Sequence, residues 1–278
     1  MEVVFDPIAV RATPSEVAEF RRALREDPPS PADPQAVPFT FPVRWLAVAA
    51  VRSHLAAASE GRGVWLLRQE FDYRERLRAG RDYVLEIRMS GPAGAQPTIE
   101  LAGGIRDGQD RPVATVRSTL RIVDPSRQPA QPRSRPRPPE QGGFAAIAAG
   151  PIDRPWIAQY AAASLDDNPL HLDRQLARAH GLPDTVVHGT LLTGLLARAL
   201  GRWCPEFVPM RLSAMFLLPV FAGQSVRMSG RMLQHNPAGT PSDRLVRLVM
   251  QREDGAMAAM GEAHVRAADA ASAGRNVR

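Results

Sequence analysis

The chain has 278 residues, 44% hydrophobic and 23% charged, which allows a real core and suits two domains better than one. Its single cysteine, Cys204, rules out an intrachain disulfide, and no run of about 18 apolar residues is present to cross a membrane. A formal net charge of +6 favours acidic partners such as nucleic acid, a phosphorylated handle like coenzyme A, or an acidic carrier protein. No zinc-finger, RNP-type or GxGxxG pattern supports nucleic acid. The opening Met1-Glu2-Val3-Val4-Phe5-Asp6 lacks the basic start and apolar run of a signal peptide, so a cytoplasmic location is expected.

Along the chain, Pro42 opens an apolar helical pattern of Leu46, Ala47, Ala50, Val51 and Leu55. Strand-like segments follow at 73–80 and 83–89, and Asp107-Gly108 marks a turn before a final strand. Residues 125–143 are rich in Pro and Arg. Proline fixes φ and lacks an N–H, so this segment reads as an extended linker between domains 1–124 and 144–278.

The second half repeats the order. Gly189 opens a helix with Leu192, Leu195, Leu196, Ala199 and Leu200, strand-like segments follow at 216–223 and 225–232, and Asp254-Gly255 repeats the turn. Gly189 stands 147 residues after Pro42, Gly223 stands 143 after Gly80, and Gly255 stands 147 after Gly108. Such near-constant spacing points to a duplicated α+β unit with small loop changes. Each helix is expected to lie in its own curved antiparallel sheet, with the two sheets joined edge to edge so that no edge is left open.

Chemistry concentrates in Tyr160-Ala-Ala-Ala-Ser164-Leu165-Asp166-Asp167-Asn168-Pro169-Leu170-His171 and in Val187-His188-Gly189. Asn-Pro interrupts helix, so the Asp166 carboxylate and the His171 imidazole can face one point. A histidine that titrates near neutrality beside a carboxylate is a general acid–base arrangement. Gly189 begins a helix, where N–H groups lack intrahelical partners and a ligand can approach closely; its N–H suits a developing oxyanion. Asn168 can orient the pair through its amide. A metal site is not expected from Asp166, His171, Asp173 and His188, because no HExxH or cysteine cluster accompanies them. His180, His235 and His264 read as surface or turn residues.

This stretch resembles the hydratase motif of MaoC-like hot-dog dehydratases and (R)-specific enoyl-CoA hydratases. It matches at Ser164, Asp166, Asn168, Pro169, Leu170, His171, Gly181, His188 and Gly189 and departs at Leu165, where the family has glycine, and at Leu182 and Thr190. Phe216, Pro219, Val220 and Gly223 resemble a further strand motif of that family. The whole chain resembles two-domain 3-hydroxyacyl-thioester dehydratases, in which a degenerate N-terminal hot dog pairs with a catalytic C-terminal one.

The resemblance implies a double hot-dog fold and hydration of a 2-enoyl thioester, or dehydration of an (R)-3-hydroxyacyl thioester, in fatty acid metabolism. It implies that Asp166 and His171 activate water and exchange the α-proton, that the Gly189 N–H binds the thioester carbonyl, and that Tyr160, Ser164, Asn168 and His188 support them. No cofactor is implied, since the substrate carries coenzyme A or the phosphopantetheine of an acyl carrier protein. Arg174 and Arg178 are candidate phosphate contacts, and Leu165 a residue that narrows the pocket or is strained if φ must be positive. Phe41-Pro42 stands where the second half has His188-Gly189, so the first half lacks the oxyanion donor and reads as scaffold and acyl-pocket wall. A monomeric pseudo-dimer or a homodimer is expected. The alternatives are a non-catalytic acyl-binding subunit and a hot-dog thioesterase. Against the latter, the helix after Gly189 carries no acid before Glu206.

Overall fold

A computed structural model describes residues 2–29, 33–60, 62–91, 98–123, 143–233 and 243–268. Of the linker expected at 125–143, all but residue 143 lies outside the described residues, as does His235. The first half runs β1 (Glu2–Val4), β2 (Ile8–Arg11), α1 (Pro14–Leu24), α2 (Val43–Leu46), α3 (Ala49–Ser59), β3 (Gly63–Tyr73), β4 (Asp82–Ser90), β5 (Thr98–Asp107) and β6 (Pro112–Val123). The second runs β7 (Ile147–Ala149), α4 (Arg154–Ser164), α5 (Pro169–Leu172), α6 (Arg174–Ala179), α7 (Gly189–Trp203), β8 (Phe207–Phe216), β9 (Val226–Leu233), β10 (Asp243–Arg252) and β11 (Met257–Ala267).

All strands join one 11-stranded sheet in the order β1-β4-β5-β6-β3-β8-β11-β10-β9-β7, with β2 also on β4. The order reads the same from either end once β3 is matched to β8 and β4 to β9, as duplication requires. The halves meet where β3 pairs antiparallel with β8, Arg68 opposite Met215 through Asp72 opposite Arg211. The expected edge-to-edge joining is therefore observed, but the expectation that no edge is left open is corrected: among the described residues the sheet does not close, and β1, β2 and β7 stay at its outer edges.

The strand windows expected at 73–80 and 216–223 are corrected. The strands are the preceding segments, ending at Tyr73 and Phe216, and the windows are connectors. Pro219 cannot donate to a ladder, and Gly80 (φ 79°) and Gly223 (φ 88°) reverse the chain in the left-handed region. The two glycines thus occupy equivalent turns, while the strands lie earlier than their sequence suggests.

The two helices also differ. α7 is continuous and buried over Leu191–Ala197 and at Ala199 and Leu200, so it fills the concave face of its sheet. The helix after Pro42 is present in two pieces. Val48 adopts an extended backbone (φ −71°, ψ 150°), so α2 stops after one turn and α3 restarts with only Val51 and Ser59 buried. The space that α7 occupies in the second half is consequently only partly filled in the first.

Candidate active site

α4 is capped by Asp153, which accepts from the Trp156 N–H, and ends at Ser164. The buried Ser164 hydroxyl donates back to the Tyr160 carbonyl at 2.8 Å, so it braces the helix end. From the first half, the Arg44 guanidinium donates to the Ala163 carbonyl at 2.7 Å, satisfying one of the carbonyls a helix end leaves free.

Leu165 closes α4 in the left-handed conformation, φ 60° and ψ 19°. A branched side chain there costs roughly 1–2 kcal/mol, and the side chain is 42% exposed, so packing returns little. Leu165→Gly is expected to raise the unfolding midpoint by roughly 1–4 °C, after allowing for glycine's larger unfolded-state entropy. A lower midpoint by differential scanning calorimetry would show that the leucine side chain contributes packing that outweighs its strain.

The turn beyond brings the pair together. The Asn168 side chain accepts from the Leu170 N–H at 3.1 Å and caps α5. Its support is therefore indirect: it starts the turn that carries His171. The Asn168 N–H points at Asp166 Oδ1 at 3.4 Å. His171 Nδ1 lies 2.6 Å from the Val186 carbonyl. A carbonyl only accepts, so Nδ1 carries the proton and the neutral ring's lone pair is on Nε2.

His188 stacks on His171, ring centroids 3.7 Å apart, and donates from Nε2 to the Asp166 backbone carbonyl at 3.0 Å. Polar atoms of Asp166, His171 and His188 lie within 4.8 Å of one another. Such a trio has the ligand types of a metal site. His171 Nδ1 and His188 Nε2 each face a backbone carbonyl, which fixes the tautomer of both rings and leaves His171 Nε2 and His188 Nδ1 as the nitrogens not so held. Burial, and next the neighbouring His171 charge, hold the His188 imidazole far below its ordinary pKa.

His188 thus stays neutral in the folded protein, whereas the unfolded chain protonates it near pH 6.5. Its contribution to stability is complete above that value and is lost as pH falls from it toward the depressed folded value. Urea midpoints measured from pH 7 downward should fall more steeply for wild type than for His188→Gln; parallel slopes would contradict the assignment.

Gly189 is the first residue of α7, and its N–H has no hydrogen-bond partner among the described residues. Leu66 of β3 lies against it: a Cβ added at Gly189 would come within 2.9 Å of Leu66 Cδ2. In the first half Pro42 has no N–H, and the next amide, of Val43, donates to the Thr40 carbonyl at 3.2 Å. Behind the site, Tyr160 is buried against His188 and Phe20. Its hydroxyl faces that of Thr190 without good hydrogen-bond geometry, and burial holds the phenol well above its usual pKa.

These groups open on a cavity of about 1150 Å³. Ser164, Leu165, Asp166, Asn168, His171 and Gly189 line it, while Tyr160 and His188 stand behind the lining. Much of the wall comes from the first half: Leu46, Val51 and Leu55 of the broken helix, Val64–Gln69 of β3, and Leu101, Ser118 and Leu120. Arg174 and Arg178 do not line it; Arg174 pairs with Asp184 at 3.3 Å. The arginines that do are Arg52, Arg62, Arg68 and Arg121. Arg52 also reaches Asp167 at 3.2 Å, tying α3 to the loop of Asp166. His180, expected at the surface or in a turn, sits at the turn that closes α6 and lines the cavity too. No spacing rule signals Arg52, Leu66 or the Val186 carbonyl, since each acts through tertiary proximity.

Among known proteins, the MaoC like domain family matches residues 140–243. The (R)-specific enoyl-CoA hydratase of Aeromonas caviae is 35% identical over 115 residues, which span 40% of this chain and 82% of that enzyme. A solved structure described as a MaoC-like dehydratase superposes with a TM-score of 0.77 at 16% identity, covering 96% of this chain and 98% of the other. A conserved Mycobacterium tuberculosis protein described as a double hot-dog fold superposes at 0.59 and 16% identity, covering 95% of each chain. The architecture is therefore a double hot dog, and the chain belongs to the MaoC-like dehydratase family.

Proposed function

We propose that this protein is a hydro-lyase that interconverts a 2-enoyl thioester and an (R)-3-hydroxyacyl thioester. The observation that carries the reading is the convergence of three groups on one cavity: the Asp166 carboxylate, Nε2 of His171, the ring nitrogen not held by the Val186 carbonyl, and the N–H of Gly189, which has no partner among the described residues. A water that donates one hydrogen to Asp166 and the other to His171 Nε2 keeps an oxygen lone pair for the β-carbon. As the C–O bond forms, charge moves onto the thioester oxygen, where the Gly189 N–H and the α7 dipole stabilise it. The acceptor that takes the water's proton returns it to the α-carbon, and the atoms balance without a cofactor.

His188 keeps both partners in place: it stacks on one and holds the backbone of the other. The halves 1–124 and 144–278 divide the work, the second supplying the reacting groups and the first the wall of the acyl cavity. One chain supplies both, so a second copy is not needed to complete the site. The handle is coenzyme A or the phosphopantetheine of a carrier protein. Among the described residues no helix is long and apolar enough to cross a membrane, and a cytoplasmic location is proposed.

Loss of the enoyl-thioester absorbance band with crotonyl-CoA and longer trans-2-enoyl-CoAs tests the reading. Turnover at any chain length supports it. Intact thioester and an unchanged band with every CoA and carrier-protein substrate would refute it, and release of free thiol instead would favour a thioesterase.

A further inference from the structure

The first half's concave face is apolar wherever it packs, with Phe71, Val116, Ile99 and Leu101 all buried. Two neighbouring positions in the cavity wall depart from this: Gln69 on β3 and Ser118 on β6, directly opposite each other in the sheet. Gln69 is fully buried and Ser118 is 7% exposed. The Gln69 amide nitrogen donates to the Arg117 carbonyl at 3.0 Å, which fixes its oxygen toward Ser118. The Ser118 hydroxyl then donates to that oxygen at 2.8 Å.

With its single proton committed, Ser118 Oγ can only accept from the cavity. The hydroxyl shares the cavity wall with Leu46, Val51, Leu101 and Leu120. Leu66, the residue packed against Gly189, stands opposite Leu120, two residues along β6 from Ser118, so the acceptor sits roughly 7 Å along the sheet from the strand position that meets Gly189. An acyl chain whose thioester is held at Gly189 passes this position if it runs along the β3–β6 part of the cavity wall.

We infer that Ser118, oriented by Gln69, is a specificity residue that selects acyl chains carrying a hydroxyl group several carbons beyond the thioester. This rests on the hydro-lyase reading and adds to it the class of acyl group. A chain hydroxyl donates to Ser118 Oγ, whereas a plain alkyl chain leaves that acceptor unpaired in an apolar wall.

The test compares kcat/KM for straight trans-2-enoyl-CoAs of increasing length with their ω-hydroxy counterparts. Wild type should prefer the hydroxylated chain by about tenfold at one length or a narrow range of lengths, the worth of one net hydrogen bond. Ser118→Ala should bring that ratio to about one. Gln69→Leu frees the serine proton and should move the preference toward a chain with an oxo group at the same carbon. Each readout is a ratio between two substrates on one preparation, so partial misfolding cancels, and the wild-type ratio is informative without any variant. Turnover of crotonyl-CoA with a flat ratio at every length would overturn this inference alone, as would an undiminished ratio in Ser118→Ala. No turnover of any enoyl thioester would remove the hydro-lyase reading and this inference with it.

Discussion

Asp166→Asn and His171→Ala are each expected to lower kcat/KM for enoyl-CoA hydration by about 10²–10⁴-fold, the range for losing a positioned acid–base group. Asparagine at 166 keeps an oxygen for the weak contact with the Asn168 N–H at 3.4 Å, so the loop should keep its shape while losing its charge. Alanine at 171 leaves the Val186 carbonyl, now 2.6 Å from Nδ1, without its partner, a stability cost of about 1–3 kcal/mol. Because both groups hold one water, the double variant should be hardly slower than the worse single one. Multiplying effects in steady-state kinetics would mean that the two act in separate steps, and undiminished rates in either folded variant would remove the pair from the chemistry.

The proposed oxyanion donor can be removed by copying what the first half already does. Proline suits the first position of a helix, and the preceding residue, His188, has the extended backbone (φ −55°, ψ 129°) that proline asks of its neighbour. The obstacle is Leu66, which any Cβ at 189 would meet at 2.9 Å. The comparison is therefore Gly189→Pro with Leu66→Ala against Gly189→Ala with Leu66→Ala, two proteins of similar bulk that differ in the N–H. The proline form is expected to be slower by about 10²–10³-fold in kcat, the usual loss for one oxyanion donor. Equal kcat values would place the thioester carbonyl elsewhere.

Much of this site was legible because its chemistry is local in sequence. Ser164 to His171 contains a helix end, a turn and the proposed acid–base pair within eight residues, and the local geometry of the segment follows from turn and capping rules. The duplication was legible too, because glycines at equivalent reversals cannot drift far. Strand positions were not. Alternation in Tyr73–Gly80 reads as a strand until Gly80, with φ 79°, is seen to belong to the reversal. The break at Val48 was invisible, since the run from Leu46 to Leu55 keeps helical spacing through it. Arg174 and Arg178 follow the motif closely in the chain yet lie outside the cavity, while Arg52, more than a hundred residues away, borders it. Sequence proximity is a poor guide to which charges surround a cavity built from both halves.

The single seam at β3 and β8 has a further consequence. In a symmetric homodimer any substitution is made twice, once beside each set of reacting groups, so a change that widens the wall also alters the chemistry's own half. Here the seam joins unlike halves, and a change at Leu55, Leu101 or Ser118 is made once, on the side away from the proposed reacting groups. Chain selectivity and reaction rate can therefore vary independently, and a library confined to β5, β6 and α3 should yield enzymes that differ in what they accept while sharing one mechanism.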